Sequence, residues 1–277
     1  MRHYSILEYA GFRWLKGALL LCALAAVAYL WHDPPLKPYG GTWLGYTLGT
    51  IGALLILWLL WFGVRKRRYR STSSSVQGWL SAHVYLGTAL VVVTTLHTGF
   101  ELGWNIHTLA YLLMLAVVAS GFYGVFVYLN VPKAITANLG EDTLDALVLQ
   151  LGDIDRKLRA AGLSVPDELM ALVNASVSGT CLGGSLRRIV TGRDAACPTA
   201  AAIRQWPERA RQLTGDAARA AKDAYALLLQ KNAILERARR DLAFRARLEG
   251  WLYVHVPLAI ALLAALTAHI VSVFIYW

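Results

Sequence analysis

Three cysteines in 277 residues leave little room for sulfur chemistry. No CxxC or CxxCH occurs, so neither an iron–sulfur cluster nor a covalently attached c-type haem is signalled. Cys22 sits in an apolar run, and Cys181 and Cys197 bracket CLGGSLRRIVTGRDAAC. We read them as ordinary thiols. Neither GxGxxG nor GxxxxGKS/T is present, which removes the usual dinucleotide and phosphate-cradling sites. Acidic residues are scarce outside one segment: of 17, only Glu8, Asp33 and Glu101 fall outside residues 131–250. Internal repeats are absent, and no alternating apolar pattern points to a membrane barrel.

What remains is apolar. The chain is 57% hydrophobic with positive mean hydropathy. Five runs, at 12–31, 43–64, 78–99, 106–129 and 251–276, approach or exceed the roughly 20 residues that a helix needs to cross a hydrocarbon core. Backbone groups in lipid must be satisfied within the segment, so these runs are helices. The expected fold is an all-α transmembrane bundle of five helices, divided into 1–130, a helical cytoplasmic insert at 131–250, and a fifth span at 251–277. Ala26-Val27-Ala28 looks like a signal-peptidase site. The run nevertheless continues to Trp31, an interfacial anchor, and we read it as uncleaved.

Basic residues set the expected orientation. Arg2, Arg13 and Lys16 precede helix one, and Arg65, Lys66, Arg67, Arg68 and Arg70 follow helix two, whereas loop 32–42 carries only Lys37 and ELGWN none. The positive-inside rule then places the N-terminus in the cytoplasm and the C-terminus outside, in a bacterial inner membrane. The net charge of +10 is accounted for by topology, so nucleic acid is not an expected partner and the lipid bilayer is. In the insert, residues 141–162 read as one helix with Glu141 and Asp142 in its first turn. Pro166 opens a second helix, 175–201 reads as a loop, and a long helix over 207–249 runs into helix five.

The histidines carry the chemistry. HVYLGTALVVVTTLH (83–97) and HVPLAIALLAALTAH (255–269) each hold two imidazoles fourteen residues apart. Fourteen helical residues advance about 21 Å and fall about 40° short of four turns. Each pair therefore lies on one stripe, at opposite depths of the membrane. Helices three and five are separated by one span and run parallel, which sets His83 opposite His255 and His97 opposite His269. A lone intramembrane histidine is commonly an interhelical hydrogen bonder. Four in matched duplicate point instead to two haem irons, each held axially from two helices. A transported metal would want carboxylates or more ligands at one depth, and neither run contains Asp or Glu.

Gly87 and Gly99 remove bulk where a flat macrocycle approaches, although close helix packing asks for the same residues, as at Gly45 and Gly49. Pro257 can bend helix five beside His255. Thr95 and Thr267 are expected to bond a carbonyl one turn back. Arg67, Arg68, Arg70, Arg245 and Arg247 are available to propionates, or are simply solvated charges. His107, near Glu101 and Trp104, reads as an interfacial histidine, with a proton-handling role at a quinol site as the other possibility. His3 and His32 receive no role.

At HVYLG, LHTGF and SGFYG the chain resembles the membrane domain of the ferric reductase-like superfamily, which includes di-haem b-type cytochromes. Helices two to five carry the likeness. It implies two haem b groups, with His83, Gly87, His97, His255 and His269 at the family's positions. Family reductases continue into flavin- and NADPH-binding domains, whereas this chain ends at Trp277 and has an insert foreign to the family core. The implied protein is thus an electron-transfer component served by a partner protein or by quinone within a larger oxidoreductase. The competing expectation is a haem-free, metal-handling or scaffold membrane protein whose insert docks a partner.

Overall fold

The computed structural model describes residues 6–34, 39–67 and 76–275, with backbone only at 64–67. The basic side chains from Arg65 to Arg70, together with Arg2, His3, Lys37 and Trp277, lie outside the described residues. All regular structure among those described is helical. The chain forms two units, residues 1–126 with 251–277, and residues 127–250. Five helices are long and apolar enough to cross a membrane.

The first unit contains α1 (Arg13–Trp31), α2 (Trp43–Arg67), α3 (Val76–Thr98), and the apolar parts of α4 (Ile106–Leu139) and α9 (Gly215–Ile275). α1 is apolar all round and exposes Leu19, Leu20, Leu24 and Val27, the pattern of a helix whose solvent is lipid. α3 is the central element. It buries Gly78, Ser81, Ala82, Ala89, Leu90 and Val93, and small residues on that stripe let neighbouring backbones approach. Val93 closes a cluster with Ala25, Leu44 and Leu48, and Leu90 joins Ile56, Met114 and Leu262 in another. Leu90, Met114 and Leu262 thus seat α3, α4 and α9 around one interior, where the histidine stripes face each other.

α4 continues ten residues beyond the end expected from hydropathy, through Pro132. Its apolar positions Val127, Val131, Ile135 and Leu139 keep a four-residue spacing, and the last two pack into the core of the second unit. Packing, rather than lipid, sustains this polar-flanked stretch. α9 is likewise one helix through Pro257, far longer than the about 20 residues a bilayer requires.

The second unit is helical, as expected, but differently divided. α5 is Leu144–Gly162. Thr143 caps it by accepting from Ala146 N at 3.1 Å, so Glu141 and Asp142 precede the helix and Asp145 occupies its first turn. The expected loop at 175–201 contains the end of α6 (Asp167–Gly179), then α7 (Leu186–Thr191) and the start of α8 (Pro198–Ala210). A break after Ala210 separates α8 from α9, so the helix expected from 207 starts at Gly215. The Ser and Thr residues that suggested a loop instead bond one another: Thr199 Oγ1 lies 2.7 Å from Ser176 Oγ and 2.8 Å from Thr180 Oγ1. Leu147, Leu151, Ile154 and Leu158 of α5 meet Leu169, Trp206 and Leu228 in the core. Lys231 is buried there at 2% exposure. Its Nζ lies 2.6 Å from Asp155 Oδ1 and donates to Ser176 O at 2.7 Å.

Cys181 is exposed, Cys197 is buried, and both are free thiols. Burial pushes the Cys197 thiol up, but the Ala200 amide and the Arg239 side chain outweigh it and hold the group below its usual range.

Candidate functional site

His97 and His269 face each other from α3 and α9, with ring centroids 6.1 Å apart and planes at 90°. The last turn of α3 aims His97 at α2, where its Nδ1 lies 2.8 Å from Gly45 O. A carbonyl can only accept, so Nδ1 carries the proton and Nε2 keeps its lone pair. That is the tautomer a metal-ligating imidazole needs, oriented by a backbone acceptor. Gly49, one turn further along α2, makes room for the ring: a Cβ there would stand 2.7 Å from His97 Cε1. Gly45 and Gly49, read from sequence as a helix-packing motif, are the seat of His97. Gly99 owes its identity to the helix end, where it turns at φ +59° and its N–H bonds Leu96 O at 3.2 Å.

At the other depth, His255 of α9 places Nδ1 2.8 Å from Ser120 Oγ, whose own proton goes to Val117 O at 2.7 Å. With the hydroxyl hydrogen committed, His255 is the donor, and its Nε2 is also left free. Trp251 lies against His255 at 5.1 Å between centroids and donates to Ser120 O at 2.7 Å. It fills the space over Gly124, where a Cβ would lie 2.2 Å from the indole. His83 packs on Phe62 at 5.2 Å and lies within electrostatic reach of His255. Its buried Nδ1 makes no hydrogen bond of ordinary geometry among the described residues, although the Leu59 backbone lies close enough to interact with the ring. A Cβ at Gly87 would meet only Leu59, at 4.0 Å, so that position clears space on the His83 stripe without a contact that demands glycine.

The His97–His269 pair borders a cavity of about 940 Å³, near the upper end for small-molecule and cofactor sites. Thr94, Tyr111, Met114 and Leu266 line its wall, and Glu101 and Asn105 also border it. Thr95 bonds Val91 O at 2.7 Å, and Thr267 bonds Leu263 O at 2.9 Å, each one turn back as expected. Thr95 also lies 2.9 Å from Tyr111 Oη. His107 stands exposed in the first turn of α4, and its Nδ1 meets Nδ1 of His269, with centroids 4.5 Å apart. Depth along α4 was the available signal, since His107 begins the span that separates the two histidine-bearing helices.

These observations test the fit of a bis-imidazole group. Metal–nitrogen bonds of about 2 Å on either side of one ion set imidazole centroids roughly 6 Å apart, which is the His97–His269 separation. Among the described residues no three His, Cys, Asp or Glu side chains converge as a metal site, and a bare ion commonly takes at least three protein ligands. The His97–His269 pair thus has the spacing of two ligands on opposite sides of one ion. Comparison with protein-family models, curated proteins and solved structures returns no match to this chain.

Replacing Gly49 by alanine drives a methyl into the His97 ring. We expect the ring to rotate off Gly45 O, a loss of about 1 kcal/mol for the hydrogen bond. Were this pair to hold the expected haem, its retention should fall at least about tenfold, as for other disrupted ligand supports. Haem-to-protein ratios of the purified variant measure it, and an unchanged ratio would dismiss the seating role of Gly49.

Proposed function

We propose that this protein is a membrane-embedded di-haem b-type cytochrome that carries electrons between the two membrane faces. It would act as a subunit or partner of a quinol- or metal-linked oxidoreductase, in a bacterial inner membrane with its N-terminus in the cytoplasm. The observation that carries the reading is the His97–His269 arrangement: two facing imidazoles 6.1 Å apart, one locked in the ligating tautomer by Gly45 O, beside a large, mostly apolar cavity. His97 and His269 would hold the outer haem, and His83 and His255 the cytoplasmic one. Haem b, when bound, supplies one-electron chemistry at its iron.

The chain's own residues would hold the rings. Gly45 O and Ser120 Oγ fix two of the four imidazoles, Trp251 covers His255, and Met114, Leu262 and Leu266 line the interior between the spans. Its electron donor or acceptor would be a partner protein or quinone. Reduced-minus-oxidised absorption spectra of the purified chain test the reading. It requires b-type bands at about two haems per chain, and a colourless protein with intact helical content would end it.

A further inference from the structure

The four facing histidines are not equally supported. His97 has a backbone acceptor, His255 a committed hydroxyl, and His269 has a second imidazole, His107. We infer that His107 is the positioning residue for His269, accepting its Nδ1–H and so holding the ring with Nε2 directed toward the shared space with His97; this rests on the haem reading above.

The chemistry leaves one workable assignment. Two Nδ1 atoms in contact must share one proton. Were His107 the donor, His269 would carry its own hydrogen on Nε2 and could not ligate in the neutral form. Ligation by His269 therefore requires the proton on its own Nδ1 and the lone pair on His107. The rings stand at 89°, so the lone pair of one meets the edge of the other. His269 is also turned at 90° to His97. Its neighbour on α9, Ser272 Oγ, donates to the His269 backbone carbonyl at 2.8 Å, a bond that leaves the ring itself unconstrained. An acceptor on the distal nitrogen also makes a ligating imidazole more basic, which favours the oxidised metal.

The test compares His107→Phe, which keeps ring bulk without an acceptor, with His107→Gln, whose side-chain carbonyl can replace it. Full-length protein is purified, and each haem is followed by redox titration and by low-temperature EPR of the ferric state. The His83–His255 haem serves as the internal folding control. We expect His107→Phe to retain the outer haem at least about tenfold less well, or to raise its midpoint potential and shift its g-values, with the inner signal unchanged. His107→Gln should restore the outer haem toward wild type. An outer haem in His107→Phe that matches wild type in retention, potential and g-values overturns the inference, as does a Gln variant that behaves like Phe. If His107→Phe fails to fold, His107→Gln decides alone: a wild-type outer haem supports the role, and a lost or shifted one overturns it. A wild-type protein without any haem removes the functional reading itself, a separate result.

Discussion

On the proposed di-haem reading, replacing His97 by alanine is expected to remove about half of the b-type absorbance and leave the remainder spectrally normal. Metal ligation is lost outright with the ring, a larger effect than the 10–100-fold typical of supporting residues. His83 and His255 lie fourteen residues away on their helices, about 21 Å along the axis, so their haem should report a folded bundle. The Leu90–Met114–Leu262 cluster lies between the two depths and does not involve His97. Pyridine haemochromogen quantitation together with a redox titration gives the answer. Retention of both haems would break the pairing of His97 with His269, and loss of both would mean that the two sites fold as one.

The second large effect is expected in the other unit. Lys231→Ala should destabilise residues 127–250 by about 3 kcal/mol, because it strands part of a buried ion pair. The ammonium group ties α9 to Asp155 of α5 and to the Ser176 carbonyl of α6, so its loss loosens three helices at once. Asp155 keeps 26% side-chain exposure and can recover some hydration, which keeps the estimate at the low end of the range for such pairs. Hydrogen exchange over 144–179 in the intact chain should accelerate by roughly two orders of magnitude. Unchanged protection there would show that the apolar core alone carries the unit. Haem content should stay at wild type.

Both predictions draw on layers of unequal legibility. Hydropathy was enough for the spans, because lipid demands a nearly continuous apolar stretch and leaves few alternatives to a helix. It failed where helices persist for reasons other than lipid. α4 runs on through Pro132 because Ile135 and Leu139 find a packed partner in the second unit's core. The hydroxyl-rich segment around Ser176 and Thr199 reads as a loop until its side chains bond one another. Gly99 adds a local reason that hydropathy does not show: it turns the chain at the helix end with a positive φ.

By itself the sequence determined that the protein is a helical membrane bundle and that four histidines recur at one spacing on two spans. Period and length are local properties, written into neighbouring residues. Only the tertiary structure decided what each imidazole touches: Gly45 O for His97, Ser120 for His255, His107 for His269. Those partners come from α2 and α4, dozens of residues away or more, and their choice depends on helix rotation and depth. Such parameters are set when whole faces pack, which is why Gly49 could be read as a close-approach glycine without revealing that the approaching group is a histidine.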